Sequence, residues 1–136
     1  TDTFSTTSTS FVDVTGLSVS ITPTSASSRI LVMAMVNVGS WSASVAAFIK
    51  VLRGSTDIAY GDAASNRIRT TAMAKSTTMS SVIIAVVDSP GTTTATTYKI
   101  QLATQSSTAY VNRDSTDTDS ASFGRGASSI IVMEIV

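Results

Sequence analysis

The sequence predicts an all-β protein in which two antiparallel sheets pack as a β-sandwich. Apolar and polar residues alternate over short stretches, which is the period of a strand with one buried face. Turn residues interrupt these stretches at a spacing of about 8–12 residues, which is typical of small sandwiches. Strands do not alternate with amphipathic helices, so a parallel sheet of βαβ units is not expected.

The chain is long enough for one domain. Its 136 residues and 14.0 kDa suit a single core, because a chain of this size buries roughly two-thirds of the surface that it exposes when unfolded. Residues 1–9 are rich in Thr and Ser and are interpreted as a linker or an amino-terminal arm. Residues 10–136 are predicted to form one sandwich domain. The chain begins without Met, and we expect it to be a piece of a longer protein.

The first alternating stretch, from Val12 to Ile21, is interrupted by Thr-Gly at positions 15 and 16. Such a pair predicts either a tight reversal or a β-bulge. Pro23 then ends the stretch, because proline has no amide hydrogen to donate to a neighbouring strand.

Three later stretches are apolar on both faces, namely residues 29–38, 81–88 and 129–136. A strand of this composition is covered on both sides, and in a sandwich the facing sheet supplies only one cover. A 14.0 kDa domain has too little interior to cover all three strands twice, so we expect partner subunits in a homotrimer to cover the rest. The methionines in these stretches, Met33, Met35 and Met133, are interpreted as gap-filling core residues.

The remaining predicted strands are shorter. Residues 46–53 also fit the apolar face of a helix, but the elements on either side are strand-like, and we predict a strand. Residues 97–103 alternate cleanly, with Tyr98, Ile100 and Leu102 inward. Further strands are predicted at residues 56–60, 67–74 and 108–112, and a long polar loop at residues 113–127.

Composition removes several classes of function. The chain has no His and no Cys, which excludes the Ser-His-Asp triad, thiol catalysis and disulfides. The net charge is +0 and the basic residues are scattered, so a nucleic-acid interface is not expected. No apolar run approaches the ~20 residues of a membrane-spanning helix. We therefore expect a protein that is not an enzyme, holds no cofactor and does not insert into a membrane.

Hydroxyl side chains dominate the polar residues. Ser and Thr supply roughly a third of the chain, well above ordinary usage. They offer many small donors and acceptors to a sugar or a cell surface, although Thr also simply suits exposed strand positions.

Counting strand reversals assigns each loop to one end of the sandwich. This count places residues 39–45, 61–65, 89–95 and 113–127 at one end. It places both chain termini and residues 23–28, 54–55, 75–80 and 104–107 at the other. If the amino end joins a shaft, the first end is the free tip, where binding loops usually lie. The candidate receptor-binding residues are Trp41, Asp62, Arg113, Asp114, Asp117, Asp119 and Arg125.

Four of these candidates have alternative interpretations. The ring of Trp41 suits a sugar, but an anchor in the core or in a subunit interface fits equally well. The aspartates Asp114, Asp117 and Asp119 are candidate calcium ligands, but the spacing, glycine and terminal glutamate of a calcium loop are absent. A solvated turn without a metal is predicted instead.

Six segments of the chain are distinctive in their amino-acid sequence. The first are Phe11-Val12-Asp13-Val14-Thr15-Gly16-Leu17 and Ser25-Ala26-Ser27-Ser28-Arg29-Ile30-Leu31-Val32, and the later ones are Asp88-Ser89-Pro90-Gly91-Thr92-Thr93, Thr97-Tyr98-Lys99-Ile100-Gln101, Val111-Asn112-Arg113 and Ser128-Ser129-Ile130-Ile131-Val132-Met133-Glu134-Ile135. Together they resemble the carboxyl-terminal domains of tail fibres of marine phages, especially cyanophages, over residues 11–136. The resemblance implies a jelly-roll-like head that assembles as a homotrimer at the end of a fibre shaft. It carries over no catalytic or binding residues.

The leading hypothesis is therefore a virion protein, a fibre head that binds a glycan or a protein on a bacterial host. The alternative is a virion decoration or trimerisation cap without a ligand of its own. A glycan-cleaving enzyme is disfavoured, because no pair of acids is marked as acid and nucleophile. A trimeric jelly roll of the tumour-necrosis-factor type shares the expected fold, but no motif supports it.

Overall fold

The structure is a computed structural model, and it describes residues 2–136. Ten strands and no helix are present in this range. They are β1 (Phe4–Thr6), β2 (Val12–Ile21), β3 (Arg29–Ser40), β4 (Ala47–Arg53), β5 (Thr56–Ile58), β6 (Ala72–Ala74), β7 (Ser80–Asp88), β8 (Thr96–Thr104), β9 (Ala109–Val111) and β10 (Ser129–Ile135). They form two antiparallel sheets packed face to face, which confirms the predicted β-sandwich. Within residues 2–136, no helix is long and apolar enough to cross a bilayer.

Sheet A is built around β3. Strand β7 pairs with one edge of β3 over nine residues. The other edge is shared by β10, opposite Arg29–Met35, and by β9, opposite Val38–Ser40. Strand β1 then pairs with β9. Part of the predicted linker or arm, residues 1–9, is thus a strand of this sheet.

Sheet B is built around β4 and β8. Strand β2 lies on the outer side of β8, and β8 pairs with β4 along the whole of β4. The far edge of β4 is shared by β5 and β6. The register of β2 shifts between Asp13 and Ser18, and Gly16 has a φ of 82°. A glycine with positive φ is a feature of one bulge type, so the Thr-Gly pair forms a β-bulge and not a reversal.

The core lies between the sheets and is made by alternate residues of the strands. On β8, Tyr98, Ile100 and Leu102 are fully buried, as the alternation predicted. They meet the inward residues of β3, such as Val32 and Val36, which are also fully buried. Each side chain of this size contributes about 1.5–3 kcal/mol when it leaves water, so this face of each sheet determines the fold.

A polar cluster joins the two sheets at one end. Arg53 of β4 donates from Nη1 to both carboxylate oxygens of Asp88 on β7, at 2.9 and 2.8 Å. The hydroxyl of Tyr98 on β8 donates to Asp88 Oδ2 at 2.8 Å. Burial raises the pKa of Tyr98, and the neighbouring Asp88 carboxylate raises it further. Tyr98 therefore stays a donor at any physiological pH and connects the core to a charged pair.

The predicted strands are largely confirmed, including residues 46–53, which form β4 and not a helix. Two differences from the prediction concern strands at the edges of the sheets. Strand β1 lies where no strand was predicted, and the prediction for residues 67–74 holds only for β6, Ala72–Ala74. Each of these two short strands pairs with only three residues of its neighbour.

The assignment of loops to the two ends was partly wrong. Strands β5 and β6 lie along the same edge of β4 and run in the same direction, so the chain does not reverse between them. Residues 75–79 and 105–108 therefore lie at the end where β3 finishes at Ser40, which we name the Trp41 end. Residues 89–95 lie at the opposite end, beside the start of β3 at Arg29. Strands β9 and β10 are collinear in the same way along β3, which returns residues 112–128 to the Trp41 end.

Candidate functional site

The outer face of sheet A is apolar across its three longest strands. The register places Ile131, Met33 and Ala85 side by side on β10, β3 and β7. The next row toward the Arg29 end is Met133, Leu31 and Val87, and the row on the other side is Ser129, Met35 and Ile83. We name these nine residues the sheet A face.

The side chains of the sheet A face are largely open to solvent in the single chain. Ile83 is 79% exposed, and Val87, Ile131 and Met133 are each about half exposed. Three strands of about seven residues cover roughly 300 Å². This is the size of the largest apolar patch on a typical monomer, about 300–600 Å², which often marks an interaction surface.

The outer face of sheet B has the opposite character. Lys99 on β8 pairs with Asp13 on β2 at 2.8 Å, and Gln101 donates to the same carboxylate. Lys50 on β4 pairs with Asp57 on β5 at 2.8 Å. Hydrogen bonds from Lys99 and Gln101 lower the pKa of Asp13. One outer face of the sandwich is thus suited to water, and the other is suited to burial.

The interpretation of Met33, Met35 and Met133 as core residues was wrong for the single chain. All three side chains lie on the sheet A face, and Met35 and Met133 are exposed. Strand positions alternate between the two faces, and the inward positions of β3 are taken by β-branched residues and alanine. The expectation that these strands carry more apolar surface than the domain can cover is confirmed.

The loop between β9 and β10 is tied to the Trp41 end by backbone and side-chain bonds. The amide of Gly126 donates to the carbonyl of Asn112 at 3.1 Å, and that of Ser115 donates to Thr77 at 3.0 Å. The Asp114 carboxylate accepts a short hydrogen bond from the amide of Met79. A Cβ on Gly126 would lie 2.7 Å from Met79 Sδ, so a larger residue here would require the Met79 side chain to move. The loop is long, yet its course is determined by the sandwich.

Asp117 holds the two ends of this loop together. Its carboxylate accepts from Arg125 Nη2 at 2.6 Å and from Arg113 Nη1 at 3.1 Å. The guanidinium of Arg113 also lies 4.3 Å from the ring centroid of Tyr110 on β9. Hydrogen bonding from Arg125, with a smaller effect of Arg113, holds the pKa of Asp117 below its usual range.

The order of this loop should therefore depend on pH. A carboxyl group with a lowered pKa in the folded state stabilises that state above its ordinary pKa, and this contribution is lost as pH falls through the lowered value. We expect the amide resonances of residues 113–126 to move toward unstructured positions only below the ordinary value of 3.8. An NMR titration from neutral to acidic pH measures this directly, and an Asp117 midpoint at or above 3.8 would contradict it.

A cavity of about 310 Å³ lies within the same loop. Asp117, Thr118, Asp119, Ser120, Phe123, Gly124 and Arg125 line it. Phe123 is the only aromatic residue of the loop, and its ring is 39% exposed. Phe123 was not among the predicted binding residues, although one aromatic residue among hydroxyls and charges was the available signal.

The predicted receptor-binding residues lie in four places. Asp117, Asp119 and Arg125 line the cavity, whereas Arg113 and Asp114 support the loop behind it. Trp41 lies at the same end and is 58% exposed, but it does not line the cavity. Asp62 lies in the loop between β5 and β6 at the outer edge of sheet B, so the structure does not bring it to this group.

Catalytic and metal-binding constellations are not evident in the part of the chain that the structure describes. Among residues 2–136, no three His, Cys, Asp or Glu side chains are grouped to hold a metal ion. Comparison with protein-family models and with curated protein sequences gives no match. The sheet A face and the cavity of the β9–β10 loop are therefore the two features on which a function can be argued.

Proposed function

We propose that the chain is a non-catalytic virion module, the jelly-roll-like head of a homotrimeric fibre that recognises the surface of a bacterial host. The sheet A face carries this proposal. A soluble sandwich gains nothing from placing Ile83, Met133 and Ile131 in water, whereas a second and a third copy around a three-fold axis would remove them from it.

The placement of the loops agrees with this assembly. The sheet A face spans the Arg29–Met35 part of β3, and the β9–β10 loop covers Asn37 and Gly39 farther along the same outer face, toward the exposed ring of Trp41. Three copies packed through the sheet A face would bring three copies of these loops close together. Binding sites repeated in this way gain avidity on a cell surface, which displays many copies of its receptor.

The first test is the mass of the folded chain in solution, measured by light scattering after size exclusion. We expect three times the chain mass of 14.0 kDa. A well-folded monomer at micromolar concentration would contradict the assembly through sheet A. A dimer would retain the interface but exclude the three-fold fibre head.

The second test is adsorption of the fluorescently labelled oligomer to a panel of marine cyanobacteria. Saturable binding to some strains and not to others is expected of a receptor-binding head. A folded trimer that binds no strain would support the alternative, a decoration or trimerisation cap. The two measurements thus separate self-assembly from recognition.

A further inference from the structure

The cavity of the β9–β10 loop has the size of a site for a small ligand, and its walls are held in place by ion pairs. Its volume of about 310 Å³ is at the lower end of the range of about 300–1,000 Å³ found for such sites, and it suits a ligand of one or two rings. The ion pairs of Asp117 with Arg113 and Arg125 close the loop on itself. A further backbone bridge pairs Arg113 with Arg125. The walls are therefore formed before any ligand arrives, which lowers the entropic cost of binding.

The charges of the cavity are nearly balanced. Among the lining residues, Asp117 and Asp119 contribute two carboxylates and Arg125 one guanidinium, and Arg113 adds a second guanidinium from behind the loop. Both arginines are bonded to Asp117, whose single carboxylate neutralises only one of them, so these three groups together keep one positive charge. The Asp119 carboxylate has no hydrogen bond or ion pair within residues 2–136. Its charge offsets the remaining positive charge and its oxygens are available as acceptors, which favours a neutral ligand rich in donors.

The remaining lining completes a mixed surface. The hydroxyls of Thr118 and Ser120 can each donate and accept. The partly exposed ring of Phe123 offers an apolar surface beside them. A sugar ring presents the matching groups, because hydroxyls lie around its edge and C–H groups lie on one face, where aromatic rings pack.

We propose that this cavity binds a neutral sugar unit, with Asp119 accepting hydrogen bonds from its hydroxyls and Phe123 packing against its C–H face. The inference rests on the proposed function, since it names a glycan as the receptor class of the fibre head. An anionic sugar is disfavoured because its carboxylate would meet that of Asp119. A divalent cation is disfavoured because the loop lacks the grouped carboxylates that calcium prefers.

The test is a titration of the ¹⁵N-labelled protein with glucose, galactose, mannose, rhamnose and glucuronic acid, followed by NMR. At least one neutral sugar is expected to shift the amides of residues 117–125, with Kd in the millimolar range of a single sugar unit. Glucuronic acid is expected to bind more weakly than glucose. If none of the four neutral sugars shifts these amides, the inference is overturned.

Variants locate the site. Asp119→Ala and Phe123→Ala are each expected to weaken sugar binding about tenfold or more, which is at least about 1.4 kcal/mol. Asp62→Ala removes an exposed aspartate of the loop between β5 and β6, which does not line the cavity, and serves as the matched control, with an unchanged Kd. Undisturbed amide resonances in β3 and β8 establish that each variant is folded. An unchanged Kd for folded Asp119→Ala would refute the assigned role.

The result for the sugar site can be distinguished from the results for the proposed fibre head. A trimer that adsorbs to cells but whose binding is unaffected by Asp119→Ala would reject the sugar site alone and leave the fibre head standing. A monomer that binds none of the strains would reject the fibre head, while the sugar titration would still report on the cavity.

Discussion

Substitution of Ile83 by glutamate is expected to convert the proposed trimer into a folded monomer of about 14.0 kDa. Ile83 is the most exposed side chain of the sheet A face, at 79%, so the change costs the isolated sandwich little. In the assembly the same position would bury a carboxylate without a partner, at a cost of several kcal/mol for each copy. Light scattering gives the mass, and circular dichroism establishes that the monomer is folded.

Ile68→Glu is the matched control for this prediction. Ile68 is also an exposed isoleucine, at 40%, but it lies in the loop between β5 and β6 and outside sheet A. We expect this variant to remain a trimer. A folded Ile83→Glu protein that keeps the mass of a trimer would show that the sheet A face is not the interface.

The second large effect is expected at Asn112, which follows β9. Replacement by alanine should lower the free energy of unfolding by about 2–4 kcal/mol, since two buried hydrogen bonds and a favourable backbone conformation are lost. Asn112 is 1% exposed, and its Oδ1 accepts from the Ser128 hydroxyl at 2.6 Å. Its Nδ2 donates to the carbonyl of Asp2 at 3.1 Å. Denaturant unfolding followed by fluorescence measures the loss.

The hydrogen bonds of Asn112 belong to a network that joins four strands at the Trp41 end. The Ser128 hydroxyl, which precedes β10, also accepts from the amide of Asn37 on β3 at 2.9 Å. Asn37 in turn accepts from Ser81 of β7 at 2.6 Å and donates to the carbonyl of Ala127 at 2.8 Å. We expect loss of Asn112 to loosen the β9–β10 loop as well as the sandwich.

A glycine variant separates the two causes of the effect. Asn112 has a φ of 63°, a conformation that glycine adopts freely and alanine does not. Asn112→Gly should therefore be less destabilised than Asn112→Ala, although both lose the side-chain hydrogen bonds. Equal stability of the alanine variant and the natural chain would mean that the network contributes little.

Local patterns predicted most of the strands. The alternation around Ile100 in β8 identified a half-buried strand, because the period of two is a property of the strand itself. The stretches that are apolar on both faces were also predicted as strands from their local composition. Their excess apolar surface follows from composition and size alone. The Thr-Gly pair at positions 15 and 16 left a reversal and a bulge open, because both satisfy the same local sequence and only pairing with β8 decides between them.

Pairing between distant strands decided the rest. The error in the loop ends arose because β5 and β6 share one edge of β4 without a reversal between them. The sequence pattern cannot distinguish this arrangement from two antiparallel neighbours. Asp62 was grouped with Trp41 for the same reason, and the structure places it at the edge of sheet B.

The sequence by itself determined the all-β class, the apolar excess of three strands and the lack of His and Cys chemistry, since these depend only on residue types and short periods. Only the tertiary structure decided that Met33, Ile83 and Ile131 share one open face, because strand register sets which side chains become neighbours. It also decided that Asp119 and Phe123 line one cavity, because long-range hydrogen bonds to Asn112 and Thr77 set the course of the loop.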